Sequence, residues 1–162
     1  MPPSKRIAFV CLGNICRSPM AEAVARAMLE QAGLSPRVSV ESFGTAGYHV
    51  GEPADPSAIA ALERRGWPPG DHRARRISPA DVDRLDLILC ADRANLADVA
   101  ALAGNSLRPG RIKLLRSFDP SAGPDAAVPD PWGLDPAGFD RSLEMIERAC
   151  RGLVAQLATG TG

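Results

Sequence analysis

The sequence predicts an α/β fold: one domain on a four-stranded parallel sheet flanked by helices on both faces. Three observations carry this expectation. Short apolar runs without polar alternation, at residues 7–10, 86–90 and 112–115, have the character of strands buried on both faces. Helical patterns separate them, and each parallel connection needs such a crossover. The 162 residues, 45% hydrophobic and 23% charged, suffice for one core and leave two domains cramped.

The elements follow in order. After the strand at 7–10, Ser18 is a favourable N-cap and Pro19 suits the first helical position. Met20, Val24, Ala27, Met28 and Gln31 then mark one helix face before Gly33 closes it. Residues 38–43 alternate as a strand, and 44–56 is a glycine-bearing loop ending in the Asp55-Pro56 start of a helix. Ile59 and Leu62 face inward there, with Gly66 as the stop. Ser78-Pro79 opens a short helix holding Val82 and Leu85, the strand at 86–90 follows, and another helix runs from about Asp92 to Gly104. The last helix has the clearest period, with Phe139, Leu143, Ile146, Cys150, Leu153 and Leu157 on one face. Before it, residues 117–138 are rich in Pro, Gly and Asp and longer than most connections, a length at which loops usually carry function. The domain is expected to span 1–162, with a core of about 6–157 and a frayed tail at 158–162.

Composition excludes several classes of function. Lys+Arg and Asp+Glu both total 19, so no global charge points to nucleic acid. No apolar run approaches the ~18 residues of a membrane span, and the N-terminus runs into a strand rather than a signal segment. A cytoplasmic location is expected. Cys11, Cys16, Cys90 and Cys150 are too sparse for a disulfide scaffold, contain no C-x-x-C and have no neighbouring His to complete a zinc set. Each is therefore core filler or reactive.

Between the first strand and helix the chain reads Cys11-Leu-Gly-Asn-Ile-Cys-Arg17-Ser18. A loop in this place can curl so that successive backbone N–H groups converge, with the helix N-terminus adding its positive end. Gly13 and Asn14 tolerate the left-handed backbone such a curl needs. Arg17 offers a planar fork matched to two phosphoryl oxygens. Leu12 to Ser18 thus form a candidate phosphate cradle. Helix N-termini and Arg side chains also favour a nearby thiolate, the nucleophilic form of cysteine. Cys11 can then attack a phosphate monoester to form a phosphocysteine, with the Ser18 hydroxyl donating to the sulfur. The bland alternative makes Cys11 a small buried residue and Gly-Asn an ordinary turn; C-x5-R-S between a buried strand and a helix start is far more specific.

Val10-Cys-Leu-Gly-Asn-Ile-Cys-Arg-Ser-Pro-Met-Ala-Glu22 strongly resembles the signature of the low-molecular-weight protein tyrosine phosphatases. The resemblance continues through Ser42-Phe-Gly-Thr45, His49-Val-Gly51, Asp55-Pro56, His72-Arg-Ala-Arg75, Ala91-Asp-Arg-Ala-Asn95 and Asp130-Pro-Trp132, covering roughly residues 6 to 155. It implies a cysteine-dependent hydrolase of aryl phosphates that uses no metal or other cofactor. Phosphotyrosine proteins or small aryl phosphates would be its partners, and inorganic phosphate its product.

A tyrosine leaving group, with a conjugate-acid pKa near ~10, needs a proton donor. The long loop offers Asp119, Asp125, Asp130 and Asp135, of which Asp135 reads better as a helix cap. The resemblance selects Asp130, in the only Asp-Pro-aromatic match. It also places Tyr48 and Trp132 as aromatic walls of the substrate pocket, with two departures: Tyr48 stands where many members carry Trp, and Gly133 where many carry a second aromatic. Asn14, Ser18, Ser42 and His72 match positions that support the phosphate loop. Asp92 matches another family position and suffices as a helix cap. Cys16 matches the second of the family's paired cysteines, a redox partner for Cys11, while Cys90 and Cys150 are expected in the core.

Three rivals share parts of this pattern. A thiol-linked arsenate reductase needs further resolving cysteines, and Cys90 has none shortly after it. A phosphocysteine carrier of a sugar-uptake system needs neither Arg17 nor an acid. A non-catalytic phosphotyrosine-binding module would have been signalled by loss of Cys11, Arg17 or Asp130, and all three are present.

Overall fold

The computed structural model describes residues 5–160. Its strands are β1 (Lys5–Cys11), β2 (Val38–Gly44), β3 (Leu87–Cys90) and β4 (Ile112–Leu114); its helices are α1 (Arg17–Gln31), α2 (Pro56–Arg64), α3 (Pro79–Arg84), α4 (Arg93–Ala103) and α5 (Pro136–Ala158). Among the described residues the four strands form one parallel sheet in the order β2-β1-β3-β4. The chain steps one way from β1 to β2 and the other way from β1 to β3. That reversal opens a crevice at the carboxyl ends of β1 and β3, where sheets of this kind bind ligands.

Alternation along β1 divides the core. Ile7, Phe9 and Cys11 pack into the apolar layer beneath α1, α2 and α5, while Ala8 and Val10 join Ile88, Cys90 and Val99 in the layer under α3 and α4. Phe139, Leu143, Ile146, Cys150 and Leu153 of α5 are all buried, as their spacing predicts, with Leu157 half-buried at the margin. Glu147 shares that face. Burial opposes its ionisation, but hydrogen bonds from Arg65 (2.8 and 2.6 Å) and Trp67 Nε1 (2.6 Å) outweigh the penalty and hold its carboxyl below the ordinary value. The pair ties the end of α2 to α5.

Several local expectations need correction. Helix α1 starts at Arg17 after a Cys16 cap position, so Ser18 lies inside the first turn and its hydroxyl is used elsewhere. The buried face of α1 is also wider than its period suggested: Ala21, Ala25 and Leu29 are buried, whereas Ala27 is half-buried and Gln31 exposed. Along α2, Ile59 is only half-buried, and Ala58, Ala61 and Leu62 make the contact. Asp55, Ser78, Asp92 and Asp135 do cap their helices, each accepting from a backbone N–H in the first turn. The chain end expected to fray begins inside α5 at Ala158; residues 161–162 lie outside the described residues. Among the described residues no helix is long and apolar enough to cross a membrane.

Candidate active site

The loop from Cys11 to Arg17 is shaped by bonds made to its outside. Carbonyl oxygens of Cys11, Leu12 and Ile15 accept from the amides of Thr45 (2.9 Å), Ala46 (3.0 Å) and Asp55 (2.8 Å), and that of Cys16 accepts from Met20 N (3.1 Å). The Asn14 carbonyl accepts from His72 Nε2 at 2.6 Å. In a trans peptide the N–H of the next residue points opposite to the carbonyl. Turning these carbonyls outward therefore turns the amides of Leu12, Gly13, Ile15, Cys16 and Arg17 inward, the cradle expected for an oxyanion.

Asn14 absorbs the curl. At φ 59° it is the only non-glycine residue with a positive φ among those described, and Gly13 does not share that conformation, contrary to expectation. Gly13 is needed for space, because a Cβ there would sit 3.0 Å from His49 Cδ2. The buried Asn14 side chain secures its own strained backbone by donating to Ser18 Oγ (2.8 Å) and Ser42 Oγ (3.1 Å) and accepting from Arg75 N (2.8 Å). Ser42 in turn donates to Glu22 Oε1 at 2.6 Å, and Glu22 pairs with Arg26 and lies 4.0 Å from His72 Nδ1.

Ser18 Oγ lies 3.0 Å from Cys11 Sγ and 3.3 Å from the Phe43 carbonyl. With Asn14 donating to it, the hydroxyl can give its proton to the sulfur. Arg17, 4% exposed, uses Nη1 on Asp92 Oδ2 (2.7 Å) and on the Val128 carbonyl (3.0 Å), leaving Nη2 3.8 Å from Asp130 Oδ2. Asp92 thus does two jobs: it caps α4 and orients Arg17, and the second was invisible in its local sequence.

These groups meet in one cavity of about 190 Å3 lined by Cys11, Leu12, Gly13, Ile15, Cys16, Arg17, Tyr48, His49, Asp130 and Trp132. Tyr48 and Trp132 are 76% and 62% exposed, so they form the rim and offer their faces to a ligand instead of the core. Gly133, at φ 79°, closes a turn in which Leu134 N bonds the Pro131 carbonyl at 2.8 Å, which suits glycine where the family often has an aromatic. Of the four loop aspartates only Asp130 reaches the cavity. Asp119 is buried against Ser121 and Arg148, Asp125 is exposed and paired with Arg93 at 3.2 Å, and Asp135 caps α5. Ser42 and His72 lie behind the loop, outside the cavity. Glu22, His49 and Arg75 each lie in a segment that carries the resemblance but were given no role from sequence; Glu22 also left a spacing signal, four residues after Ser18 and four before Arg26 on one helix face.

The chain is similar to several known phosphatases. A low molecular weight protein-tyrosine-phosphatase of Streptomyces coelicolor is 47% identical over 151 residues, 93% of this chain and 92% of that protein. The crystal structure of a protein tyrosine phosphatase from Entamoeba histolytica with Hepes in the active site superimposes with a TM-score of 0.91 at 31% identity, covering 98% of this chain and 100% of that one. The YwlE arginine phosphatase, a Bacillus subtilis protein, matches with a TM-score of 0.83 at 27% identity over 94% of this chain and 95% of its own. The profile described as low molecular weight phosphotyrosine protein phosphatase matches residues 6–161, and with so much of the chain covered, it belongs to that family.

Proposed function

We propose that this chain is a protein tyrosine phosphatase that hydrolyses phosphotyrosine and related aryl phosphate monoesters through a phosphocysteine on Cys11. The observation that carries this reading is the meeting of Cys11, Arg17 and Asp130 in one aromatic-rimmed cavity. The inward amides and Arg17 Nη2 hold the phosphoryl oxygens while the Cys11 thiolate attacks phosphorus in line with the leaving oxygen. As the P–O bond breaks, Asp130 gives its proton to the phenolate. Asp130, now ionised, takes a proton from water that attacks the phosphocysteine, releasing inorganic phosphate and a Cys11 thiolate stabilised by Ser18.

Tyr48 and Trp132 stack on the substrate ring, and Leu12 and Ile15 favour an aryl group over a charged guanidinium. The decisive experiment measures kcat/KM on phosphotyrosine, phosphoserine and phosphoarginine, together with arsenate reduction, using one preparation. Phosphotyrosine is expected to win; preference for phosphoarginine would move the chain to the arginine phosphatase activity of its structural neighbour. Asp130→Asn is expected to slow phosphotyrosine hydrolysis by ~10²–10⁴, the scale of general acid catalysis, and to affect esters with acidic leaving groups less. Asp125→Asn should change little, and a larger loss there would show that the acid is misassigned.

Cys16 is proposed as the redox partner of Cys11. Burial, then the charges of Asp55 and Cys11, push its thiol well up, so it stays protonated beside the nucleophile. Oxidation of Cys11 to a sulfenic acid lets the Cys16 thiol condense with it, forming the S–S bond and releasing water. After peroxide and then dithiothreitol, wild type should recover whereas Cys16→Ser should retain an over-oxidised Cys11; equal recovery would leave Cys16 as packing. Phosphotyrosine proteins or small aryl phosphates are the proposed partners, and a cytoplasmic location, where thiols are kept reduced, accords with the four free cysteines.

A further inference from the structure

The segment leading into Asp130 is held in an uncommon way. Three successive carbonyls each accept one hydrogen bond from a side chain on a different element. Arg116 Nη1 donates to Ala127 O at 2.9 Å, Arg17 Nη1 to Val128 O at 3.0 Å, and Ser142 Oγ to Pro129 O at 3.0 Å. On the other side Val128 N donates to Ala91 O at 2.8 Å, joining the same stretch to the carboxyl end of β3.

Ser142 is conspicuous. It is 2% exposed and lies beside Leu143 and Phe139 on the inward side of α5, where a hydroxyl is costly unless it is bonded. Its partner is the carbonyl of the peptide that joins Pro129 to Asp130. Because Pro129 has no N–H, the preceding peptide can be held only through the Val128 carbonyl, the one that Arg17 engages. Arg116 stands in the 3₁₀ turn Leu115–Phe118 after β4 and reaches across to the same loop. Neither residue lines the cavity.

We propose that Ser142 and Arg116 are positioning residues for the general acid: with Arg17 they clamp three consecutive carbonyls and fix where the Asp130 carboxyl stands relative to the leaving oxygen. This rests on the assignment of Asp130 made above. Proton transfer needs the acid within hydrogen-bond reach of the leaving oxygen, and a displacement of about 1 Å can cost ~10²-fold. Phosphoryl transfer from an ester whose leaving group departs unprotonated needs no acid, so it is indifferent to the clamp.

The test compares kcat/KM on phenyl phosphate and on 2,4-dinitrophenyl phosphate, so that the ratio reports acid assistance in the step that forms phosphocysteine. In Ser142→Ala and in Arg116→Met the ratio should fall about tenfold, chiefly through phenyl phosphate, and Ser142→Thr, which keeps the hydroxyl, should restore most of it. In an Asp130→Asn background Ser142→Ala should change the ratio no further, because the two act through one group. Equal losses on both esters, or a lowered Tm with an unchanged ratio, would overturn the proposal and leave these residues as fold supports. If Asp130→Asn itself leaves the ratio untouched, the acid is misassigned; a ratio still lowered by Ser142→Ala would then show that the clamp positions a different acid, overturning it as stated.

Discussion

Cys11→Ser is expected to reduce phosphotyrosine turnover by roughly 10⁴-fold or more, since a neutral hydroxyl replaces the only proposed nucleophile. The fold should be indifferent, because one buried atom changes and its Ser18 neighbour still finds a partner. Oxyanion affinity should persist as well. The inward amides are set by carbonyl bonds to Thr45, Ala46, Asp55 and His72, and Arg17 is held by Asp92 and Val128, none of which involves the sulfur. Phosphate or vanadate binding, followed through the fluorescence of Trp132 at the rim, separates the two roles. Appreciable turnover in this variant would end the phosphocysteine mechanism, whereas loss of binding would show that the cradle depends on the thiol.

The second large effect concerns stability. Gly152 lies inside α5, where glycine costs about 1 kcal/mol relative to alanine, yet it faces the 3₁₀ turn so closely that a Cβ would stand 1.8 Å from the Phe118 carbonyl oxygen and 2.9 Å from its carbon. Both obstacles are backbone and cannot rotate away. Gly152→Ala should therefore destabilise by about 3 kcal/mol despite its better helix propensity, which for a chain of this size lowers Tm by roughly 6–12 °C. Gly123→Ala, where a Cβ meets nothing within 4 Å, is the control and should be near neutral. A Gly152→Ala protein as stable as wild type would mean that helix and turn do not approach this closely.

What could be read from the sequence was local or periodic. Cys11 to Ser18 is a contiguous loop whose chemistry shows in residue types alone, and α5 declares its buried face through spacing. The parallel sheet follows from the alternation of strands and helices. Errors arose where a tertiary partner redirected a side chain with a good local role. Ser18 is a strong cap type, but Cys11 and Asn14 engage its hydroxyl, and the helix begins two residues earlier, at Arg17. Gly13 and Asn14 looked equally suited to a left-handed backbone; only the ring of His49 explains why the glycine is there. Asp92, Glu22, Arg116 and Ser142 each have an ordinary surface or helix explanation in their own neighbourhood. Their roles appear only when segments distant in sequence are brought together, and a single sequence holds no record of those contacts.

The bond from Arg17 to Val128 bridges 111 positions along the chain, and Asp130 lies just beyond it. The bonds that turn the cradle amides inward reach no further along the chain than Arg75, whereas Asp130 is seated by contacts from the end of β3, the turn after β4 and α5. Closing so large a loop is among the slow steps of folding. The proton-donating half of the site thus depends on the C-terminal third of the chain, from which the bonds that turn the cradle amides inward take nothing.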